Sequence, residues 1–266
     1  MEGFDIKKAA SGFAAVFVLG LVLASCGGGG GGGSAEAPVE PPYEGHAWFD
    51  PAIVARQNAA TTDEEKEAVA RERAQLLIAA MNEDQKLGQL TGQGASTIPE
   101  VPQCYGGRHV EWIPELGIRT LRITNGPVGV GQNDCGRLED RQPLTSEYSA
   151  KATGLPSGMA VAASFDRNLA RMYGEIIGDE MRSLGLDVLE APGVNMARLP
   201  IAGRNFEYFG EDPYLVGTMA VEEALAIKER GLIAMPKHFV ANDQETQRQL
   251  TFSNVDEQVL HEIYLL

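Results

Sequence analysis

Apolar and polar positions along the chain fall into short runs of two kinds. Helical spacing is clearest from Thr62 onward, where Thr62 and Glu65 read as a capping box and predict a helix to about Met81. Val69, Leu76, Leu77 and Ala80 form its expected buried stripe, and its charged residues its solvated face. Asn82 is expected to cap a second short helix through Leu90, followed by a loop over residues 92–102 with Cys104 at its end. Residues 121–124 (Leu-Arg-Ile-Thr) predict a strand that runs into the turn-rich Asn125-Gly126-Pro127-Val128-Gly129-Val130-Gly131. Residues 159–164 read as a second strand. Asp166 then caps a helix carrying Leu169, Met172, Ile176, Ile177, Met181 and Leu184 at helical spacing. Residues 187–191 predict a third strand, followed by an irregular stretch over 192–210. Asp212 and Pro213 start a helix that runs to Arg230 and stops at Gly231.

The stretch 232–248 organises the rest. It opens as a buried strand, and Pro236 then removes a backbone donor and ends regular pairing. Lys237 and His238 follow at once, before a polar run from Asn242 to Arg248. A strand whose end delivers a cation and an imidazole into a polar loop is how a barrel builds the rim of an active site. A last helix is expected from about residues 254–257. Strand, loop and helix in repetition predict a parallel α/β fold. Four strands are half of what a closed barrel needs, so the expected fold is an incomplete (β/α)8 TIM-like barrel, about its first half, over residues 46–266.

The segment before it is of a different kind. Lys7 and Lys8 precede an apolar run over residues 9–23 that ends in Leu23-Ala24-Ser25-Cys26. This predicts a signal peptide over residues 1–25 that resembles a bacterial lipoprotein signal, with Cys26 as the lipidation site. The glycine run over 27–33 and the Pro-containing stretch after it make residues 26–45 a flexible tether. The expected location is therefore the bacterial periplasm or outer membrane, with the lipid anchor as the only membrane attachment.

Composition narrows the function. The 266 residues are 44% hydrophobic, enough for a packed core. The net charge of −15 excludes nucleic acid as the expected partner, because phosphate contacts need a basic face. The four histidines lie far apart at no zinc-site spacing, so neither a structural metal nor a cofactor is expected. Export to an oxidising compartment predicts a disulfide between Cys104 and Cys135, which flank the strand at 121–124.

Several motifs occur together and in order: Ser164-Phe165-Asp166; Gly185-Leu186-Asp187-Val188-Leu189-Glu190-Ala191-Pro192-Gly193-Val194-Asn195; Gly203-Arg204-Asn205-Phe206-Glu207-Tyr208-Phe209-Gly210-Glu211-Asp212-Pro213; Lys237-His238-Phe239; and Asn242-Asp243-Gln244-Glu245-Thr246-Gln247-Arg248. Together they resemble glycoside hydrolase family 3, mostly β-glucosidases and related exo-glycosidases, from about residue 64 to residue 266. The resemblance implies an N-terminal (β/α) barrel followed by a smaller sandwich domain. It also implies retaining hydrolysis of β-glycosides or oligosaccharides by an aspartate nucleophile and a glutamate acid/base. The glycon-binding groups it implies fall here on Arg204, Lys237, His238 and Arg248. Fixed cations and an imidazole suit this task, since sugar hydroxyls both donate and accept.

Two departures stand out. The family carries an aspartate where Asn125 stands, and an amide cannot replace a carboxylate that takes two hydroxyl protons. The nucleophile's Ser-Asp-Trp-like motif does not occur before residue 266, so no catalytic residue is assigned and the chain alone is expected to be inactive. Two other classes remain open: a non-catalytic, lipid-anchored sugar-binding protein, and a Schiff-base lyase using Lys237.

Overall fold

The computed structural model describes residues 46–92, 96–98, 101–106, 108–131 and 152–266. The expected signal peptide and tether, Cys26 and Cys135 lie outside the described residues, and so does the expected Cys104–Cys135 pairing. The described chain forms two compact units, one ending at residue 91 and including 111–119, the other built from 92–110 and 120–266.

The first unit is helical. Helix α1 (Pro51–Ala59) is capped by Asp50, which accepts from the Ala52 amide at 2.7 Å. Helix α2 (Asp63–Ala80) begins at the expected capping box, and the Thr62 backbone amide is the main cause that draws the Glu65 carboxyl down to about 2. Its buried positions are Val69, Ala70 and Arg73; Leu76 and Leu77 pack partly buried against Trp48, Ile113 and Leu116. Ala80, expected in the stripe, is exposed. Arg73 is buried because it has acceptors there: it donates from Nε to the Trp48 carbonyl at 3.0 Å and pairs with Gln57. Helix α3 (Glu83–Leu90) has its own capping box from Asn82 and Gln85.

The second unit is a mixed sheet backed by helices. Strands β1 (Ser96–Ile98) and β2 (Val101–Gly106) form an antiparallel pair where a plain loop was expected. The main sheet runs in the order β3 (Arg108–Val110), β4 (Leu121–Asn125), β5 (Val188–Glu190), β6 (Ile233–Ala234). Strand β3 is antiparallel to β4, while β4, β5 and β6 are parallel, as alternation with helices requires.

Residues 159–164 correct the reading: they are not a strand but lie in and just after helix α4 (Gly158–Ala162), capped by Ser157. A short apolar run does not reveal its period, and here the Ser157 hydroxyl accepting from the Ala160 amide decides for helix. Helix α5 (Arg167–Ser183) starts at Asp166 as expected. Its buried line is Ala170, Tyr173, Gly174, Ile177, Gly178 and Met181, whereas Met172 and Ile176 are exposed. The glycines explain the rotation. A Cβ at Gly174 would lie 2.5 Å from the Glu223 carbonyl oxygen, so helix α6 (Pro213–Glu229) packs against α5 at that point. Leu189 of β5 completes this core with Met219 and Ile227 of α6, all with exposures of 1% or less. Each such side chain contributes roughly 1.5–3 kcal/mol by leaving water.

Helix α6 ends where Gly231 turns the chain with φ 76, and β6 follows. The last helix is one α turn, α7 (Glu257–Val259), which widens into a π turn over Leu260–Tyr264. Alternation along β4 and β5 gives the sheet two faces. Thr124 and Leu189 are fully buried, Leu189 within the helix-backed core, and Asn125 and Glu190 lie on the opposite face.

Candidate functional site

The site gathers at the C-terminal ends of β4, β5 and β6. Asn125 is the last residue of β4, and its carbonyl accepts from the Gly131 amide at 2.8 Å, which folds the following loop back. Tyr173 of α5 donates to the Pro127 carbonyl at 3.0 Å and holds the same loop. Glu190, the last residue of β5, is the register partner of Asn125. After β6 the backbone keeps pairing: the Lys237 amide donates to the Pro192 carbonyl at 3.0 Å, and the Val194 amide to the Lys237 carbonyl at 2.6 Å. The Lys237–His238 peptide is cis.

Lys237 is placed by this pairing among three elements. Its Nζ donates to Asn125 Oδ1 at 3.0 Å and lies 3.8 Å from Glu190 Oε2 and 3.7 Å from Glu207 Oε2. Glu207 lies in the single 3₁₀ turn Asn205–Glu207 and takes Arg204 in a two-pronged ion pair, both bonds 2.7 Å. Arg204 also reaches Glu245 Oε1 at 3.4 Å, and Arg248 meets Glu245 Oε2 at 3.1 Å. The turn carrying Glu207 sits against the loop after β5: a Cβ at Gly193 would lie 2.1 Å from the Glu207 carbonyl oxygen. His238 Nδ1 lies 3.0 Å from the Tyr208 hydroxyl, and Asn242 donates to that hydroxyl at 3.3 Å and to Glu245 Oε1 at 2.9 Å.

The five residues singled out in the sequence therefore join one network. Arg248 is its outermost member, with 52% of its side chain exposed against 12% for Lys237. Glu190, Glu207, Tyr208, Asn242 and Glu245 belong to the same network and were assigned no role. They stood inside the quoted motifs, but acidic and amide residues near loops read as solvated until their cationic partners are placed beside them.

The electrostatics of the cluster are set by its own ion pairs and by burial. Burial pushes the Glu207 carboxyl up, but the Arg204 guanidinium, helped by Lys237, outweighs it and holds the group below its ordinary value. Glu245 is likewise pushed up by burial and brought down further by Asn242, Arg204 and Arg248. His238 is lowered to about 4, first by burial and then by Arg204 and Lys237, so the imidazole is neutral at pH 7. Neither carboxyl holds a proton to give, so neither suits a general acid. The surface offers cationic donors, ionised acceptors and a neutral ring, the groups that hydroxyls pair with. Among the described residues no group of three or more His, Cys, Asp or Glu converges as a metal site.

Residues 144–266 match the glycosyl hydrolase family 3 N-terminal domain. This match and the beta-glucosidases below support a family 3, beta-glucosidase-like N-terminal part over these residues. The chain is 38% identical over 156 residues to thermostable beta-glucosidase B of Acetivibrio thermocellus, covering 59% of this chain and 20% of that protein. It is 32% identical over 244 residues to probable beta-glucosidase A of Emericella nidulans, covering 86% of this chain and 24% of that protein. Among solved structures, beta-glucosidase 3B from Thermotoga neapolitana in complex with glucose superposes with a TM-score of 0.62 at 32% identity, over 71% of this chain and 26% of that one. A beta-glucosidase from Streptomyces venezuelae in complex with D-glucose gives 0.60 at 35% identity, over 73% and 22%. The chain thus spans about a fifth to a quarter of the length of the curated relatives it matches. The parallel strands and backing helices, with these neighbours, fit an α/β, TIM-barrel-like domain.

Proposed function

We propose that the protein to which this chain belongs hydrolyses terminal β-linked glycosides with retention, and that residues 46–266 supply the glycon-gripping side of its active site. In this reading the domain is about the first half of the barrel. The observation that carries the proposal is the convergence of Asn125, Arg204, Lys237, His238 and Arg248 on one face of the strand ends. Such non-reacting contacts place the anomeric carbon and strengthen toward the transition state. In this reading Glu207 and Glu245, ionised and paired with Arg204, Lys237 and Arg248, hold the gripping groups in place and do not act as the general acid.

The test is hydrolysis of an aryl β-glucoside by the full-length product, with the released anomer followed by NMR. Release of β-glucose first, and loss of activity in Arg204→Ala, supports the proposal; α-glucose first, or no hydrolysis of any aryl β-glycoside, refutes it. Residues 1–25 are read as a signal peptide and Cys26 as the lipid anchor, which places the protein in the periplasm or outer membrane. Cys26→Ala should then move the protein from the membrane pellet to the soluble fraction on lysis, and retention in the pellet would argue for an uncleaved anchor.

A further inference from the structure

Asn125 stands where the family resemblance led us to expect an aspartate, which leaves the question of what accepts the hydroxyl protons. The structure has a carboxylate one strand over. Glu190 is the register partner of Asn125 in the parallel pair β4–β5, so the two side chains leave the same face about 4.8 Å apart. Both reach the same cation: Lys237 Nζ is 3.0 Å from Asn125 Oδ1 and 3.8 Å from Glu190 Oε2. The glutamate is one methylene longer than an aspartate, so from the adjacent strand its carboxyl enters the space beside the Asn125 amide. Only 14% of the Glu190 side chain is exposed, so its carboxylate is held near Lys237 and not dispersed into solvent.

The geometry points to Glu190 as the carboxylate that accepts from two adjacent glycon hydroxyls, in the role that the aspartate expected at position 125 would fill. Asn125 then serves as the neutral neighbour that donates from its Nδ2 while its Oδ1 takes Lys237. A carboxylate has two oxygens and about four lone-pair sites, so it grips two hydroxyls while staying near a lysine. The ligand class follows: a pyranose with two neighbouring free hydroxyls on the side away from the scissile bond. This assignment rests on the glycon-pocket reading above and adds a specificity-determining residue to it.

The test is an NMR titration of the chain with D-glucose and with its monodeoxy analogues, in the wild type and in Glu190→Gln. Gln keeps the shape and removes the charge. Glucose affinity is expected to fall about tenfold in Glu190→Gln, because a hydrogen bond to an ionised acceptor exceeds a neutral one by roughly that factor. The decisive reading is the deoxy penalty. In the wild type, removing one of the gripped hydroxyls should weaken binding by about tenfold, and in Glu190→Gln that penalty should shrink toward unity. The double variant Asn125→Asp, Glu190→Gln should restore it. Deoxy penalties unchanged in Glu190→Gln would overturn the assignment, since a carboxylate that only steadies Lys237 touches no hydroxyl. If glucose binds and Arg204→Ala abolishes binding while Glu190→Gln changes nothing, the pocket stands and Glu190 is not part of it. If the wild type shows no saturable binding, the pocket reading fails and takes this one with it.

Discussion

Glu223 offers a sharp physical test of the helix packing that supports the site. It lies on α6 at the close crossing with α5, is 1% exposed, and its Oε1 has no hydrogen-bond partner among the described residues. Burial pushes its carboxyl from the ordinary 4.5 up to about 8. The folded protein therefore keeps a proton that the unfolded chain releases between those two values. Stability falls as pH rises through this window, at about 1.4 kcal/mol per pH unit, and the loss is complete above the folded value. At pH 7 the accumulated cost is roughly 3 kcal/mol. Glu223→Gln removes the titration and keeps the shape. It should match the wild type near pH 4 and exceed it near pH 7 by up to about 3 kcal/mol, or about 6–12 °C in Tm at this chain size. Calorimetric unfolding of both proteins at several pH values between 4 and 9 measures this. Parallel stability curves for the two would refute the reasoning, because they would mean that Glu223 is ionised or well paired in the fold.

Three further outcomes follow. His238 has its folded value lowered to about 4 against an ordinary 6.5, so its neutral form, and the sugar binding that uses it, should persist as pH falls to near 4 and fade below; loss of glucose binding already at pH 6 would contradict the burial argument. Over that same window the unfolded chain takes up the proton that folded His238 refuses, so this group lowers stability as pH falls from 6.5 to 4. Gly193→Ala drives a methyl into the Glu207 carbonyl and should cost about 1–3 kcal/mol while also weakening sugar binding, and circular-dichroism melts alongside a glucose titration would check both. A Cys104–Cys135 disulfide, if unstrained, should stabilise the domain by about 3–4 kcal/mol; an intact peptide map under non-reducing conditions without a linked pair would exclude it.

The sequence made the helices of this fold legible because their ends are chemical. Thr62 with Glu65, Asn82, Asp166 and Asp212 with Pro213 each mark a helix start by a side chain that accepts from the first turn. The interior of α5 was harder. Gly174 and Gly178 carry no hydrophobic signal, yet they set which side meets α6, and Met172 and Ile176 turn outward as a result. Residues 159–164 went astray because an apolar run this short fits either period, and only Ser157 held the answer. At the site the cations were visible as residue types at strand ends. Their partners were not, because the pairing of Glu207 with Arg204, or of Glu190 with Asn125 across two strands, depends on register and loop path. Those are tertiary facts that no local pattern encodes.

The central claim is that the ends of β4, β5 and β6 form a glycon pocket around Lys237, which follows β6 and whose Nζ reaches Asn125 of β4, Glu190 of β5 and Glu207. The most direct measurement is a titration of D-glucose into the chain, read by the NMR signals of the Lys237 and Arg204 side chains. Saturable one-to-one shifts of both, abolished by Lys237→Met in a protein that still melts cooperatively, are the predicted result. Signals that do not move with glucose, or a Lys237→Met variant that binds as the wild type does, would contradict the account.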